Sequence, residues 1–252
     1  MANTAVLFGS TGLLGHQILS TLLALDTYQA AHTISRRPPK MESPKLSAQI
    51  EADTSKWTPA LSFLSPTPSI VISSLGTTRV QAGGIANQWK IDHDREFSTC
   101  RVVAAANMLK PVLVNIELAK AAHAAGVKAY LFVSSAGTRG LLGGYAPYSR
   151  MKQGVEDAIR DIGFEKAIIM RPGAILGERE VEHPGGPLLN TAIRSLGRIN
   201  QSWQDGLGQD ADVIGRAAVH AAILAQQGKA PSKYWVVGQA DVVRLGRDEW
   251  KF

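Results

Sequence analysis

Residues 4–15 read Thr-Ala-Val-Leu-Phe-Gly-Ser-Thr-Gly-Leu-Leu-Gly, and no other stretch restricts the fold so tightly. An apolar run of strand length passes directly into glycines at positions 9, 12 and 15, and an amphipathic segment from Leu13 to Leu25 follows. Glycines at that spacing let the backbone turn sharply, let a pyrophosphate come close and let the helix settle on its strand. The start of such a helix offers unpaired N–H groups and the positive end of its dipole to a phosphate. An ordinary tight strand-to-helix turn needs the same glycines, and it is the flanking strand and helix that favour phosphate binding. The candidate contacts are Gly9, Ser10, Thr11, Gly12, Leu13 and Gly15.

The rest of the chain alternates. Strands are predicted at Ala31–Ser35, Leu46–Ile50, Ser69–Ser74, Ala129–Ser134, Lys166–Met170 and Tyr234–Val237. Helices are predicted at Trp57–Leu64, from near Gly84 with Trp89, and at Asn115–Ala125, Tyr148–Ile162, Leu188–Ile199 and Asp212–Gln227. This order predicts an α/β fold, a single-domain Rossmann-type doubly wound parallel sheet with helices on both faces. A chain of 252 residues, 45% hydrophobic, can build one such core.

Arg36 and Arg37 end the second strand, where a dinucleotide fold places the adenosine ribose. An acid there would take the 2′-hydroxyl and arginine a 2′-phosphate, so the residues favour NADP(H) over NAD(H), with two solvated arginines as the alternative. Asp53, after the third strand, either contacts the adenine amino group or caps the segment behind it. Ser74, Leu75, Gly76 and Thr77 end the fourth strand and are expected on the nicotinamide side.

The net charge of +6 is scattered, with no basic tract, so nucleic acid is not expected. A phosphorylated ligand, an anionic membrane surface or a surface that is merely basic all fit it. Cys100 is the sole cysteine, which excludes an internal disulfide and fits a reducing compartment. No His, Cys and carboxylate group has metal-ligand spacing, so no metal is expected. No apolar run reaches the roughly 18 residues of a membrane span. The first strand starts close to Met1, so the N-terminus is expected to be mature.

Residues 95–113 break what would otherwise be one helix joining Ile91-Asp92-His93-Asp94 to Asn115-Ile116-Glu117-Leu118, and Pro111 is expected to stop any continuous helix there. Arg95-Glu96-Phe97 is encodable with GTGAGT, Ala106-Asn107 with CTAAC and Leu113-Val114 with a terminal AG, the pattern of splice donor, branch and acceptor. Splicing would leave one leucine between Asp94 and Asn115. The run therefore reads as a retained intron, with an accessory loop and short helix as the structural alternative.

Tyr148 and Lys152 lie one helical turn apart and share a face. A phenol is a poor proton donor at neutral pH, and an adjacent ammonium favours the phenolate and brings the tyrosine toward the working range. Ser135 ends the preceding strand, where its hydroxyl can polarise a carbonyl. Lys152 can also bind the nicotinamide ribose.

In Gly9-Ser10-Thr11-Gly12-Leu13-Leu14-Gly15, Ser134-Ser135-Ala136-Gly137, Tyr148-Ser149-Arg150-Met151-Lys152 and Arg171-Pro172-Gly173 the chain resembles the atypical branch of the short-chain dehydrogenase/reductase superfamily. In Ser35-Arg36-Arg37, Gly84-Ile85-Ala86-Asn87-Gln88-Trp89-Lys90 and the ending Arg244-Leu245-Gly246-Arg247-Asp248-Glu249-Trp250-Lys251 it looks like the fungal "found in mitochondrial proteome" proteins of the fifty-two type, relatives of the Tat-interacting-protein-like oxidoreductases. The resemblance implies NADP(H) binding, Pro172 beside the cofactor, catalysis by Ser135, Tyr148 and Lys152 on a carbonyl or alcohol of unknown identity, and peripheral association with the cytosolic face of the mitochondrial outer membrane. It leaves a homodimer open, formed through the helices after the fourth and fifth strands. The substrate side is expected in residues 173–210, where His183 is the only histidine. A different class of function, a non-catalytic dinucleotide-binding regulator or scaffold, uses the same cofactor site.

Overall fold

All five residues of β1 (Thr4–Phe8) are buried, as a strand demands when it lies mid-sheet with both faces covered. The computed structural model describes residues 3–76, 99–140, 147–178 and 186–251. Around β1 stand β2 (Ala30–Ser35), β3 (Leu46–Ile50), β4 (Ile70–Ser73), β5 (Ala129–Val133), β6 (Lys166–Met170) and the late β9 (Tyr234–Val237), in the order β3-β2-β1-β4-β5-β6-β9. Every adjacent pair is parallel. The chain reverses its direction of travel across the sheet between β1 and β4, and ligands of such sheets collect beyond the strand ends at that point.

Alternate strand residues feed two cores. Ala5, Leu7, Ile72 and Leu131 pack against α1 (Leu13–Ala24) and α7 (Ala211–Gln226). Val6, Phe8, Val71 and Phe132 face α2 (Trp57–Ser62), α3 (Thr99–Ala124) and α4 (Pro147–Ile162). Trp57 stacks on Phe8 with ring centroids 5.8 Å apart. α7 is alanine-rich because it is squeezed between neighbours: a Cβ on Gly215 would lie 3.0 Å from the backbone of Gln17 in α1.

The expected break at Pro111 does not occur. α3 runs 26 residues through it. Proline removes one N–H from the ladder and crowds the preceding turn, a local cost that a helix anchored elsewhere can carry. The anchored part is C-terminal, where Asn115, Leu118, Ala119 and Ala122 are buried. Residues 95–98 of the irregular run, Thr77, the helical region near Gly84 and His183 lie outside the described residues, as does the side chain of Cys100.

Beyond β6 the chain leaves the sheet. β7 (Ala174–Leu176) pairs with β8 (Gly208–Asp210), and between them lie α5 (Gly186–Ile199) and α6 (Gln201–Leu207). A Cβ on Gly177, at φ +154, would lie 3.0 Å from the side chain of Leu13 at the tip of α1. The C-terminal residues clasp this layer. After α8 (Gln239–Val243), a π-helical turn spans Arg244–Asp248. Arg247 pairs with Asp205 of α6 at 2.8 Å, and the His220 ring contacts the Leu245 carbonyl at 2.9 Å.

Two glycine substitutions separate close packing from idle helix. A Cβ on Gly246 would sit 2.0 Å from the Val213 carbonyl, so Gly246→Ala is expected to destabilise by about 2 kcal/mol. Gly154, exposed in α4 with nothing near its absent Cβ, is the opposite case, and Gly154→Ala is expected to stabilise by about 0.5–1 kcal/mol. Thermal or urea unfolding of the two variants reads both signs.

Candidate functional site

The three glycines of the β1–α1 turn have different tasks. Gly9 takes φ +86, and a Cβ there would lie 2.7 Å from Ser74 Oγ. A Cβ on Gly15 would lie 2.0 Å from the Gly9 carbonyl, so Gly15 exists for packing. Gly12 differs from both: its φ of −83 suits any residue, and a Cβ would meet only the Gly9 carbonyl, at 3.5 Å. The fold itself makes no demand for glycine at 12. A ligand drawn close to the backbone would.

Two further features fit a phosphate at this turn. Ser10 Oγ is fully buried and has no hydrogen-bond partner among the described residues. The first turn of α1 has no side-chain cap, so its N–H groups are unspent. Ser74, expected as a cofactor contact, donates its hydroxyl to the Phe8 carbonyl at 2.9 Å and so braces the turn from behind. Arg36 and Arg37 are exposed immediately beyond β2, and no carboxylate pairs with Arg36 among the described residues. Asp53 caps the short helix Thr54–Lys56: its carboxylate accepts from Ser55 N and Oγ at 3.0 and 2.8 Å, which holds it below the usual carboxylate range.

Tyr148 and Lys152 line a small cavity of about 20 Å³ with Leu75, Gly76, Asn115 and Phe132, among others. That is room for about one water. Lys152 is 8% exposed, donates to the Val133 carbonyl at 2.9 Å and stands 4.6 Å over the Phe132 ring. Burial pushes its ammonium down to about 8, against a smaller upward pull from Glu156. Ser135 follows at the end of β5, half-buried, its hydroxyl making a 3.3 Å contact to the neighbouring Ala136 carbonyl. It does not line that cavity. Pro172 is buried beyond β6, and its carbonyl accepts from Ala136 N at 2.7 Å.

Some members of the site were not singled out in the sequence. Asn115 is buried and accepts from Ser73 Oγ at 2.6 Å. Glu156 is fully buried, bound by Ser134, Arg139 and Arg171. Burial alone would raise its carboxyl, but the donors from Arg171, Ser134 and Arg139 outweigh this and hold it below its ordinary value. The signal for Glu156 was present: it continues the spacing of four that joins Tyr148 to Lys152. Among the described residues no three His, Cys, Asp or Glu side chains converge on a metal position.

Three substitutions test these roles. Gly12→Val is expected to keep the unfolding temperature and lose dinucleotide binding, whereas Gly15→Ala is expected to unfold, which calorimetry and a binding titration separate. Lys152 holds its proton to about 8 when folded and to 10.5 when unfolded, so below pH 8 the folded state bears the full cost of the buried ammonium. Stability from this group rises as pH climbs between those values. Lys152→Met is therefore expected to be more stable than wild type at pH 7 by about 1–3 kcal/mol, the gain shrinking toward pH 10; a loss of stability at pH 7 contradicts it.

No established family profile matches the chain. "Protein FMP52, mitochondrial" of Chaetomium globosum is 56% identical over 252 residues, covering the whole of both chains. "Protein fmp52-2, mitochondrial" of Aspergillus oryzae is 54% identical across 98% of this chain and 99% of its own. Among solved structures, a short-chain dehydrogenase/reductase of Saccharomyces cerevisiae, YIR035C, superposes with a TM-score of 0.59 at 16% identity, over 97% of this chain and 99% of that one. MoeE5 in complex with UDP-glucose and NAD gives 0.61 at 15% identity, over 98% and 81%. Those two likenesses carry the fold. With the full-length identity to the fungal proteins, the chain belongs to the FMP52 family.

Proposed function

We propose that the chain is an NADP(H)-dependent oxidoreductase that interconverts a carbonyl and an alcohol. The observation that carries this reading is a buried ammonium, Lys152, sharing one cavity with the phenol of Tyr148 at the strand ends. Such an ammonium carries a high energetic cost, and perturbed groups of this kind collect at sites of chemistry. The turn from Gly9 to Gly15 would hold the pyrophosphate, Arg36 and Arg37 the 2′-phosphate, Asp53 the adenine side, and Leu75, Gly76 and Pro172 the nicotinamide side. When bound, the dinucleotide supplies or accepts the hydride.

Ser135 donates a hydrogen bond to the carbonyl oxygen and fixes its position. Tyr148 delivers the proton to that oxygen as it gains charge. Lys152 stabilises the phenolate left behind and so keeps the phenol acidic enough to act near neutral pH. The apolar walls from Phe132, Met151 and Val155 limit water around the pair. The named relatives are mitochondrial, and no helix among the described residues is long and apolar enough to cross a membrane. We place this chain at the mitochondrion as well, held peripherally at the outer membrane, where a net charge of +6 favours an anionic surface.

NADPH titration followed by turnover over a panel of aldehydes and ketones tests the reading. Tyr148→Phe is expected to lower turnover by about 10²–10⁴-fold with dinucleotide affinity unchanged. Arg36→Ala is expected to erase most of a preference for NADPH over NADH. Tight NADPH binding with no turnover of any substrate would assign the chain to dinucleotide-dependent regulation instead.

A further inference from the structure

Glu156 lies one turn beyond Lys152 on α4, and its carboxylate is fully enclosed. Four donors from three other segments meet it: Ser134 Oγ at 2.5 Å from the end of β5, Arg139 Nε at 3.0 Å from the loop that follows, and Arg171 through Nε at 3.1 Å and a terminal nitrogen at 2.6 Å from the end of β6. Lys152, for its part, grips the Val133 carbonyl. Two consecutive residues at the end of β5, Val133 and Ser134, are thus held by two residues one turn apart on α4. Ser135 is the next residue along the strand and Tyr148 the preceding turn of the helix.

A buried ion cluster is a poor device for stability, since apolar groups of the same volume commonly do as well. What it confers here is register and charge. We propose that Glu156 is a positioning residue of the Tyr148 and Lys152 pair, fixing α4 against the end of β5 and setting the electrostatic surroundings of the buried ammonium, a role that rests on the oxidoreductase reading only for its effect on turnover.

The charged groups around the cluster give the direction of the effect. Arg139 and Arg171 face Glu156 from the loop and from β6, Asp157 faces Arg139 and Arg160, and Arg160 lies over the Tyr234 ring of β9. Tyr148 shares the helix, and α3 offers the neutral Asn115. Without the carboxylate, Lys152 would lose the nearby negative charge that opposes the effect of its burial, and the lysine would lose its proton at lower pH.

Glu156→Gln keeps the shape and removes the charge. In ¹³C NMR of the full-length protein, with the Lys152 signal assigned through Lys152→Met, its titration midpoint is expected to fall by about one pH unit or more in the variant. Turnover is expected to drop about 10–100-fold at pH 7, its alkaline limb moving the same way, with NADPH affinity within about twofold. An unchanged Lys152 midpoint in a folded variant overturns the proposal, as does an unchanged turnover rate in an active enzyme. If wild type turns over nothing, the oxidoreductase reading fails while the titration still decides the role of Glu156. Should Glu156→Gln not fold, Ser134→Ala removes only the tie to β5 and is expected to cut turnover about 5–10-fold at constant NADPH affinity; unchanged turnover there overturns the register role.

Discussion

The Gly9 carbonyl occupies the space that a side chain on Gly15 would need, and much of the molecule is stacked on that close approach. It seats α1 against β1 at the depth where α1 can take α7 at Gly215, and α7 in turn takes the C-terminal turn at Gly246. None of these approaches admits a Cβ without movement: the nearest atom is a backbone carbonyl oxygen at Gly15 and Gly246, and at Gly215 it is the Cβ of Gln17 with the Gln17 backbone close behind. The layer on this face is therefore fixed by close backbone approach as well as by side-chain packing, which suits the alanine-rich α7, while Val242 and Leu245 carry the C-terminal residues into the same core.

On the opposite face the controlling quantity is charge. Lys152 and Glu156 are both buried, and each is tolerable because of what surrounds it: the Val133 carbonyl and the Phe132 ring for the ammonium, two arginines and a serine for the carboxylate. Such an arrangement holds strand ends and helix to one another, and it leaves a proton-binding lysine poised near the neutral range. Under the proposed function, catalysis and stability pull against each other at that one side chain.

The sheet was legible because its strands are buried on both faces, so β1, β5 and β6 appear as short unbroken apolar runs bounded by glycine or polar turns. The turn after β1 was legible because only glycine makes the approaches found at positions 9 and 15. Other parts follow contacts that leave no local pattern. β7 and β8 are three residues each and exist only through pairing across more than thirty intervening positions. The continuity of α3 through Pro111 depends on how its far end is anchored, and Asn115 became a site residue only when Ser73 and the cavity were seen beside it. Asp53 shows the limit from the other side, since the cap it forms was one of two readings that the residue type alone allowed.

Leu13 touches two things at once. It opens α1, and its methyl carbons lie 3.0 and 3.2 Å from where a side chain on Gly177 would begin, at the point where the chain leaves β7 toward α5. Asn190 of α5 is tied to the same spot through the Gly177 carbonyl at 3.2 Å. A shift of the α1 tip by a fraction of an ångström therefore has no slack in which to dissipate. It would be passed directly to the layer formed by β7, β8 and α5, a coupling that needs neither hinge nor lid.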